Sequence, residues 1–476
     1  MAPRHMDRLS SVDASFLTQE TSASHMHVGA ILIFEGPPPS YEDLLEHVRS
    51  RLHLVPRFRQ KLAFPPIQMG RPFWIDDPNF NLSYHVRHSA LPSPGSEDQL
   101  RRMAARVFSQ QLDRTKPLWE LWLVQGLKRK RFALVSKTHH AVVDGVAGVD
   151  IATVLFDATP VPEPAGPDHE WIPEPEPSAI DLAAHGVEAI ATTPLRLARR
   201  LVTAVEHPGP AVKQASEAAE AVGEVAWALA NPAPEVPLNA EIGSHRRFCW
   251  VRGDLGELRR IKNVLGGTVN DVVLAIVAGA LRSWLQSRSV RTEGLELRAL
   301  VPVSIRAEDE QGQLGNRIAA MRGPLPVYID DPVRRLDAVR EGMEGLKASK
   351  QALGAEVISR FNDFAPPTLL AQASRLNFST RLFNLIVTNV PGPQMPLYVL
   401  GRELQDVFPV AFLPQHHALA VAIMSYNGGI DFGLLADYAA MDDVDAIAEG
   451  IEASIAELSD AAGEAAVERE PAGTTG

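Results

Sequence analysis

The sequence predicts an α+β protein of two lobes, and three observations carry that prediction. At 476 residues the chain exceeds what one ordinary core organises, so two cores are expected. Apolar strand-like runs alternate with amphipathic helical spacings on both sides of the middle. Between them the composition breaks, where Pro160, Pro162, Pro164, Pro167, Pro173, Pro175 and Pro177 punctuate an acidic connector. The expected division is a first lobe over 1–158, a connector and amphipathic helical linker over 159–236, a second lobe over 237–462 and a disordered tail over 463–476.

The first lobe opens on Leu9–Leu17, whose serines and Asp13 suit a turn or a helix cap. His25–Phe34 is β-rich and stops at Gly36 and a proline run. His25 and His27 share one face of that strand, and with no third ligand in sight a structural role is expected. Leu44, Leu45, Val48 and Leu52 space out a helix over Tyr41–Leu54. A second helix is expected from about Ser96 to Leu112. Leu118–Val124, a turn at Gly126–Lys130 and the strand Arg131–Thr138 read as a hairpin. Trp119 and Trp122 are expected in core or channel wall.

After Gly145, Val146, Val149, Ile151 and Leu155 suggest a helix closing the lobe. Residues 179–230 are alanine-rich and helical in pattern. The piece Pro194–Val205 is basic and amphipathic, and two readings stay open: a helix on a lipid surface, or one packed on the protein with solvated arginines.

The second lobe starts near Pro237, with a strand over His245–Val251 and a helix over Leu255–Leu265 that stops at Gly266-Gly267. Thr268 and Asp271 fit a capping arrangement for an apolar helix to about Leu285, placing Asn270 in its first turn. Strands are expected at Leu297–Arg306 and at Leu385–Val390, with a further segment beginning at Leu314–Ile318 and running through Leu325 and Val327. Helices are expected over Pro332–Leu353 and 355–378. Ala420–Tyr426 and Gly429–Leu435 form a hairpin around Asn427-Gly428, and Val444, Ile447, Ile451, Ile455 and Leu458 define the last helix.

Composition removes several functions. A formal net charge of −12 argues against nucleic acid as a partner. Cys249 is the only cysteine, so an intramolecular disulfide and thiolate zinc sites are ruled out and a reducing cytoplasm is expected. The N-terminus lacks a signal core, and no run of about 18 apolar residues is present to span a bilayer.

One stretch stands apart: His139-His140-Ala141-Val142-Val143-Asp144-Gly145, at the end of an apolar strand. Chance would produce this pattern on the order of 10⁻³ times per chain. A histidine can accept and return a proton near neutral pH, and Gly145 permits backbone that a side chain forbids. No His-Glu-x-x-His, Gly-x-Ser-x-Gly or nucleotide phosphate loop is present. A base acting without a covalent intermediate remains, which suits direct transfer of an activated acyl group. The second pair, His416-His417, lacks the following Asp-Gly and is expected to be structural.

The His-His-x-x-x-Asp-Gly stretch resembles the motif of the CoA-dependent acyltransferase superfamily. With Leu9–Leu17, His25–Phe34, Pro117-Leu118-Trp119-Glu120, Thr268–Ala275, Val301–Arg306, Leu314–Arg317 and Asn389–Pro393, the chain is more narrowly similar to the bacterial wax ester synthase/diacylglycerol acyltransferase family. These stretches span both lobes. The resemblance implies two chloramphenicol-acetyltransferase-like lobes, each a mixed β-sheet with flanking helices, and an active-site tunnel between them. It implies His140 as general base, His139 and Gly145 in support, Asp144 organising the motif with Arg306 as its partner, and Asn270 near the oxyanion or acceptor. Pro117, Leu118, Trp119, Asp271 and Ser304 would line the tunnel or support it. Fatty acyl-CoA is the implied co-substrate and diacylglycerol or a long-chain alcohol the acceptor, with no metal and no resident cofactor. Cytoplasmic placement with peripheral contact at a membrane or lipid droplet would follow. A carrier-protein thioester as donor and a catalytically silent lipid-binding protein are the alternatives.

Overall fold

Most of the strands and helices form where apolar periodicity and caps place them. The computed structural model describes residues 6–66, 70–143, 154–161, 171–178, 180–182, 231–304, 318–348 and 379–469. The first lobe carries β1 (Asp7–Arg8), β2 (His27–Phe34), β3 (Gln60–Ala63), β4 (Phe73–Asp76), β5 (Val86–Ala90), β6 (Trp119–Gln125) and β7 (Phe132–His139). Its helices are α1 (Ser11–Gln19), α2 (Tyr41–Arg51), the single turn α3 (Leu82–His85), α4 (Glu97–Phe108) and the short α5 (His140–Val143). Side-chain oxygens start three of them: Ser10, Ser40 and Ser96 accept the N–H groups of Asp13, Asp43 and Gln99. Helix α4 stops four residues before the expected Leu112.

The second lobe carries β8 (Arg246–Asp254), α6 (Leu255–Leu265), α7 (Val269–Ser287), β9 (Leu297–Ser304), β10 (Ile318–Leu325), α8 (Pro332–Ala348), β11 (Leu385–Pro391), β12 (Tyr398–Val399), β13 (Arg402–Val410), β14 (Leu419–Tyr426), β15 (Gly429–Asp437) and α9 (Val444–Arg469). Helix α7 begins with the capping box that Thr268 and Asp271 announce, and its apolar residues are buried on all sides. No single described helix is long and apolar enough to cross a membrane.

Two six-stranded mixed sheets result, ordered β12-β13-β2-β7-β6-β5 and β10-β9-β11-β14-β15-β8, beside a small sheet β1-β4-β3. The first sheet corrects the expected division of the chain. Strand β13 falls within 237–462 by sequence, yet it pairs antiparallel with β2, with Phe408 opposite Ile31. The second lobe therefore lends the first two strands, β13 and, at its edge, β12. Glu403, Asp406 and Pro409 break up the alternation of β13, which hides it from a periodicity reading. The four-residue strands β3 and β4 escape for a different reason, because they are too short to show a period. Residues 463–469 of the expected disordered tail are helical instead: α9 continues through Gly463 to Arg469, since the surrounding alanines and glutamates outweigh one glycine, and 470–476 lie outside the described residues.

The helices expected over 355–378 and after Gly145, and most of those over 179–230, lie outside the described residues. Residues 171–178 of the connector lie along the first lobe, where Arg59 stacks over Trp171 at 4.7 Å and Lys61 pairs with Glu176 at 3.3 Å.

The facing sides of the two large sheets share one core. Ile31, Ile33, Val135 and Phe408 meet Phe248, Trp250, Ile386 and Ala422 there, and Trp250 stacks on Phe408 at 4.4 Å. Backbones approach closely at Gly433, where a Cβ would sit 1.9 Å from the Pro409 carbonyl oxygen. At the rim Arg252 bridges the lobes, donating to Asp406 at 2.8 Å and to both oxygens of Glu97 at 2.9 and 3.0 Å.

Buried beside that bridge, Asp431 accepts the Val407 N–H at 3.1 Å. Burial pushes its carboxyl up to about 7; the Val407 hydrogen bond opposes this and the nearby Asp406 charge adds to it. The folded state thus holds this proton more tightly than the unfolded chain does. The resulting stability is complete below the ordinary carboxylate range and is lost as pH rises through about 7. Asp431→Asn keeps an acceptor for Val407 and cannot ionise. Thermal unfolding across pH should show the variant more stable than the parent at about pH 8, by at most ~4 kcal/mol, with the difference vanishing near about pH 4.

Candidate active site

Strand β7 is buried along its whole length and ends at His139, which lies directly across from His27 of β2. The chain then turns into α5. Two backbone hydrogen bonds hold the turn: His139 N–H donates to the Leu118 carbonyl at 3.0 Å and His140 N–H to the Met26 carbonyl at 2.8 Å. This gives the Pro-Leu-Trp stretch a structural part. Leu118 anchors the motif through its carbonyl. Trp119 is buried in the first lobe's outer core, where its indole N–H donates to Phe58 O at 2.8 Å and its ring stacks on His85 at 4.7 Å. Pro117 is buried beside them.

His140 is half-buried, unlike its neighbour. Its ring lies against Phe16 of α1, with centroids 4.0 Å apart and planes 26° apart. Phe412, just past β13, meets it edge-on at 5.5 Å. The imidazole is therefore gripped by one aromatic ring from each end of the chain. Phe412 arrives on the segment that leaves the strand lent to the first sheet. The same segment is bolted down by Ser24 Oγ, which donates to Leu413 O at 2.7 Å.

His139 is 1% exposed and faces a buried carboxylate. Glu20 Oε2 lies 3.6 Å from His139 Nε2, and Oε1 lies 3.5 Å from His27 Nε2. Arg114 donates to Oε2 through Nε at 2.8 Å and through a terminal nitrogen at 2.5 Å. Burial by itself would raise the Glu20 carboxyl, but the facing His139 and His27 outweigh it and hold it well below the usual carboxylate range. Burial pushes His27 down to about 3, so His27 is neutral at physiological pH. The expectation that His25 and His27 are merely structural holds for His25, which is tied to Ser22 O at 2.9 Å. His27 sits beside the motif, 3.5 Å from Glu20. Neither Glu20 nor Arg114 could be singled out from sequence, because 94 residues separate them and neither sits in a motif.

Beneath this layer Lys137, two residues before His139 and fully buried, pairs with Glu120 at 3.2 Å. Its ammonium also donates to the carbonyls of Val107 and Gln110, both at 3.1 Å.

The remaining site residues divide. Asp271 caps α7, where its Oδ2 accepts from Thr268 N–H at 2.8 Å and the Thr268 hydroxyl at 2.7 Å. Asn270 sits half-buried in the same first turn, on a helix that packs against α9, α8, α6 and β10 of the second lobe. None of the described contacts joins Asn270 to His140. Ser304 ends β9. Asp144, Gly145 and Arg306 lie outside the described residues.

Other chemistries find little support nearby. Burial pushes the Cys249 thiol up to about 12, so it is no nucleophile. Among the described residues no three His, Cys, Asp or Glu side chains are arranged to hold a metal ion. His417 of the second pair is buried, with its ring nitrogens 2.9 Å from Gln415 O and 3.1 Å from Phe383 O, a structural role as expected.

Two lobes built on mixed sheets, the second lending strands to the first, with a histidine at a strand end, define the condensation-domain class of acyltransferase fold. A solved structure of the first condensation domain of the calcium-dependent antibiotic synthetase matches over 97% of both chains with a TM-score of 0.58 at 16% identity, which speaks for the fold alone. The chain belongs to the wax ester synthase/diacylglycerol acyltransferase family: its catalytic-domain model matches residues 9–273 and its C-terminal-domain model residues 314–459. A probable diacylglycerol O-acyltransferase of Mycobacterium tuberculosis is 32% identical over 457 residues, covering 95% of this chain and 96% of that protein. A second from the same species is 31% identical over 477 residues, covering 96% and 100%. The wax ester synthase/diacylglycerol acyltransferase of Marinobacter aquaeolei has a similar structure, with a TM-score of 0.67 at 28% identity over 96% of this chain and 100% of that one.

Proposed function

We propose that this chain moves a long-chain acyl group from acyl-CoA to the hydroxyl of diacylglycerol or a fatty alcohol, making triacylglycerol or wax ester. The observation that carries the reading is the half-buried His140 imidazole, held between Phe16 and Phe412 at the end of β7 in a chain that matches this family across both lobes. His140 takes the proton of the acceptor hydroxyl as its oxygen attacks the thioester carbonyl. The tetrahedral intermediate collapses, the C–S bond breaks, and the imidazolium returns the proton to the CoA thiolate. One ester forms, one thioester is consumed, and no acyl-enzyme arises. Asn270 would stabilise the oxyanion or acceptor from the second lobe, with Asp144 and Arg306 ordering the motif. Both acceptors are lipids, so the enzyme would work in the cytoplasm against a membrane or droplet surface.

The test is thiol release from palmitoyl-CoA by the purified chain, with diacylglycerol, with hexadecanol and with neither. Release that depends on acceptor is expected. Equal release without acceptor, or a stoichiometric burst of thiol before acceptor is added, contradicts direct transfer.

A further inference from the structure

His139 transfers no proton in the scheme above, yet it is more deeply buried than His140. Its Nδ1 accepts the Ala141 N–H at 3.1 Å, which requires the lone pair there and the proton on Nε2. That nitrogen lies 3.6 Å from Glu20 Oε2, an electrostatic contact outside hydrogen-bond range, and among the described residues it has no hydrogen-bond partner. Glu20 is itself 2% exposed, and among the described residues its Oε1 accepts no hydrogen bond. A buried carboxylate one of whose oxygens has only the 3.5 Å approach of the neutral His27 ring costs stability, and an apolar side chain would fill the space at less cost. Arg114 fixes where the carboxylate points, since it also donates to Leu17 O at 2.8 Å and so ties Glu20 to the end of α1.

The peptides on either side of the His140 α-carbon are thereby both pinned. The preceding one donates its N–H to Met26 O, and the following one donates its N–H to His139 Nδ1. Were His139 to take the other tautomer, Nδ1–H would confront the Ala141 N–H and the second restraint would be lost. Helix α1, which supplies the Phe16 face against His140, ends at Glu20, so one element carries both restraints on the ring.

We propose that Glu20, anchored by Arg114, is a positioning residue for acyl transfer: it holds His139 in the Nε2–H tautomer, and His139 in turn fixes the Ala141 peptide that aims His140. The charged and titratable groups around this carboxylate are Arg114 from the loop before β6, His27 and His25 from the β2 edge, and His139 and Lys137 from β7. The proposal rests on the acyl-transfer reading for its kinetic consequence but not for its structural one.

The experiment compares the full chain with Glu20→Gln, which keeps the shape and removes the charge. Steady-state kinetics and the imidazole ¹⁵N shifts of His139 are read together. The expected result is a kcat lower by roughly tenfold or more, part of the ~10²–10⁴ that acid–base assistance supplies, with KM for palmitoyl-CoA and acceptor within about twofold. The His139 shifts should pass from the pure Nε2–H pattern to a tautomer mixture. An unchanged kcat, or a lowered kcat with His139 still wholly Nε2–H, overturns the proposal. If Glu20→Gln does not fold, Arg114→Gln at the partly exposed partner is read in the same two ways, with the same directions expected. A parent chain without acyltransferase activity would sink the acyl-transfer reading, while the tautomer comparison would still decide the positioning role.

Discussion

His140→Ala lowers acceptor-dependent acyl transfer by roughly 10²–10⁴-fold, the contribution expected of a positioned general base. The fold survives the change, because the ring is half-buried and its neighbours Phe16 and Phe412 belong to a core that extends well beyond it. Far-UV circular dichroism and the thermal midpoint should stay close to those of the parent, so the loss is read as lost chemistry. The loss should fall on kcat and kcat/KM together, since the imidazole acts on the proton in flight and does not grip the ground-state substrates. A variant that keeps parental turnover would remove His140 from the mechanism.

Glu120→Ala has the largest expected effect on stability, about 3–5 kcal/mol, because it strands a buried ammonium. Lys137 has no exposed surface and keeps only two backbone carbonyls once the carboxylate is gone. Arg87, 3.0 Å from Glu120, loses its carboxylate and keeps only the Tyr84 carbonyl and ring contacts, and the Trp122 indole N–H loses its acceptor in the same step. Burial already pulls the Lys137 pKa down, with Glu120 opposing it, so removing Glu120 drives Lys137 toward deprotonation or toward opening the sheet. Lys137→Met should cost less, since Arg87 and Trp122 still satisfy Glu120. Urea midpoints of the two variants give the comparison. An equal or smaller loss for Glu120→Ala would show that the pair is not the strut it looks to be.

Local rules made much of the fold legible. The hairpins β6–β7 and β14–β15, the capped start of α7 and the extent of α6 follow from period, turn residues and caps, all of which act within a few neighbours. Strand β13 was not legible, because its place beside β2 is a pairing across more than 370 residues of chain. The candidate site divides the same way. His139 and His140 announce themselves by adjacency and by the strand that delivers them. Phe16, Phe412, Glu20 and Arg114 do not, since an aromatic or a charged residue alone is common and only the folded chain sets them against the imidazoles. Trp119 lies in the core, one of the two places its sequence allows, and what the sequence did not show is that the backbone of Leu118 makes the contact with the motif.

The most direct test of the account is product analysis from labelled palmitoyl-CoA with diacylglycerol and hexadecanol supplied side by side, for the parent and for His140→Ala. Labelled triacylglycerol or wax ester is expected from the parent and almost none from the variant. No labelled ester from the parent, or equal ester from both, would contradict it.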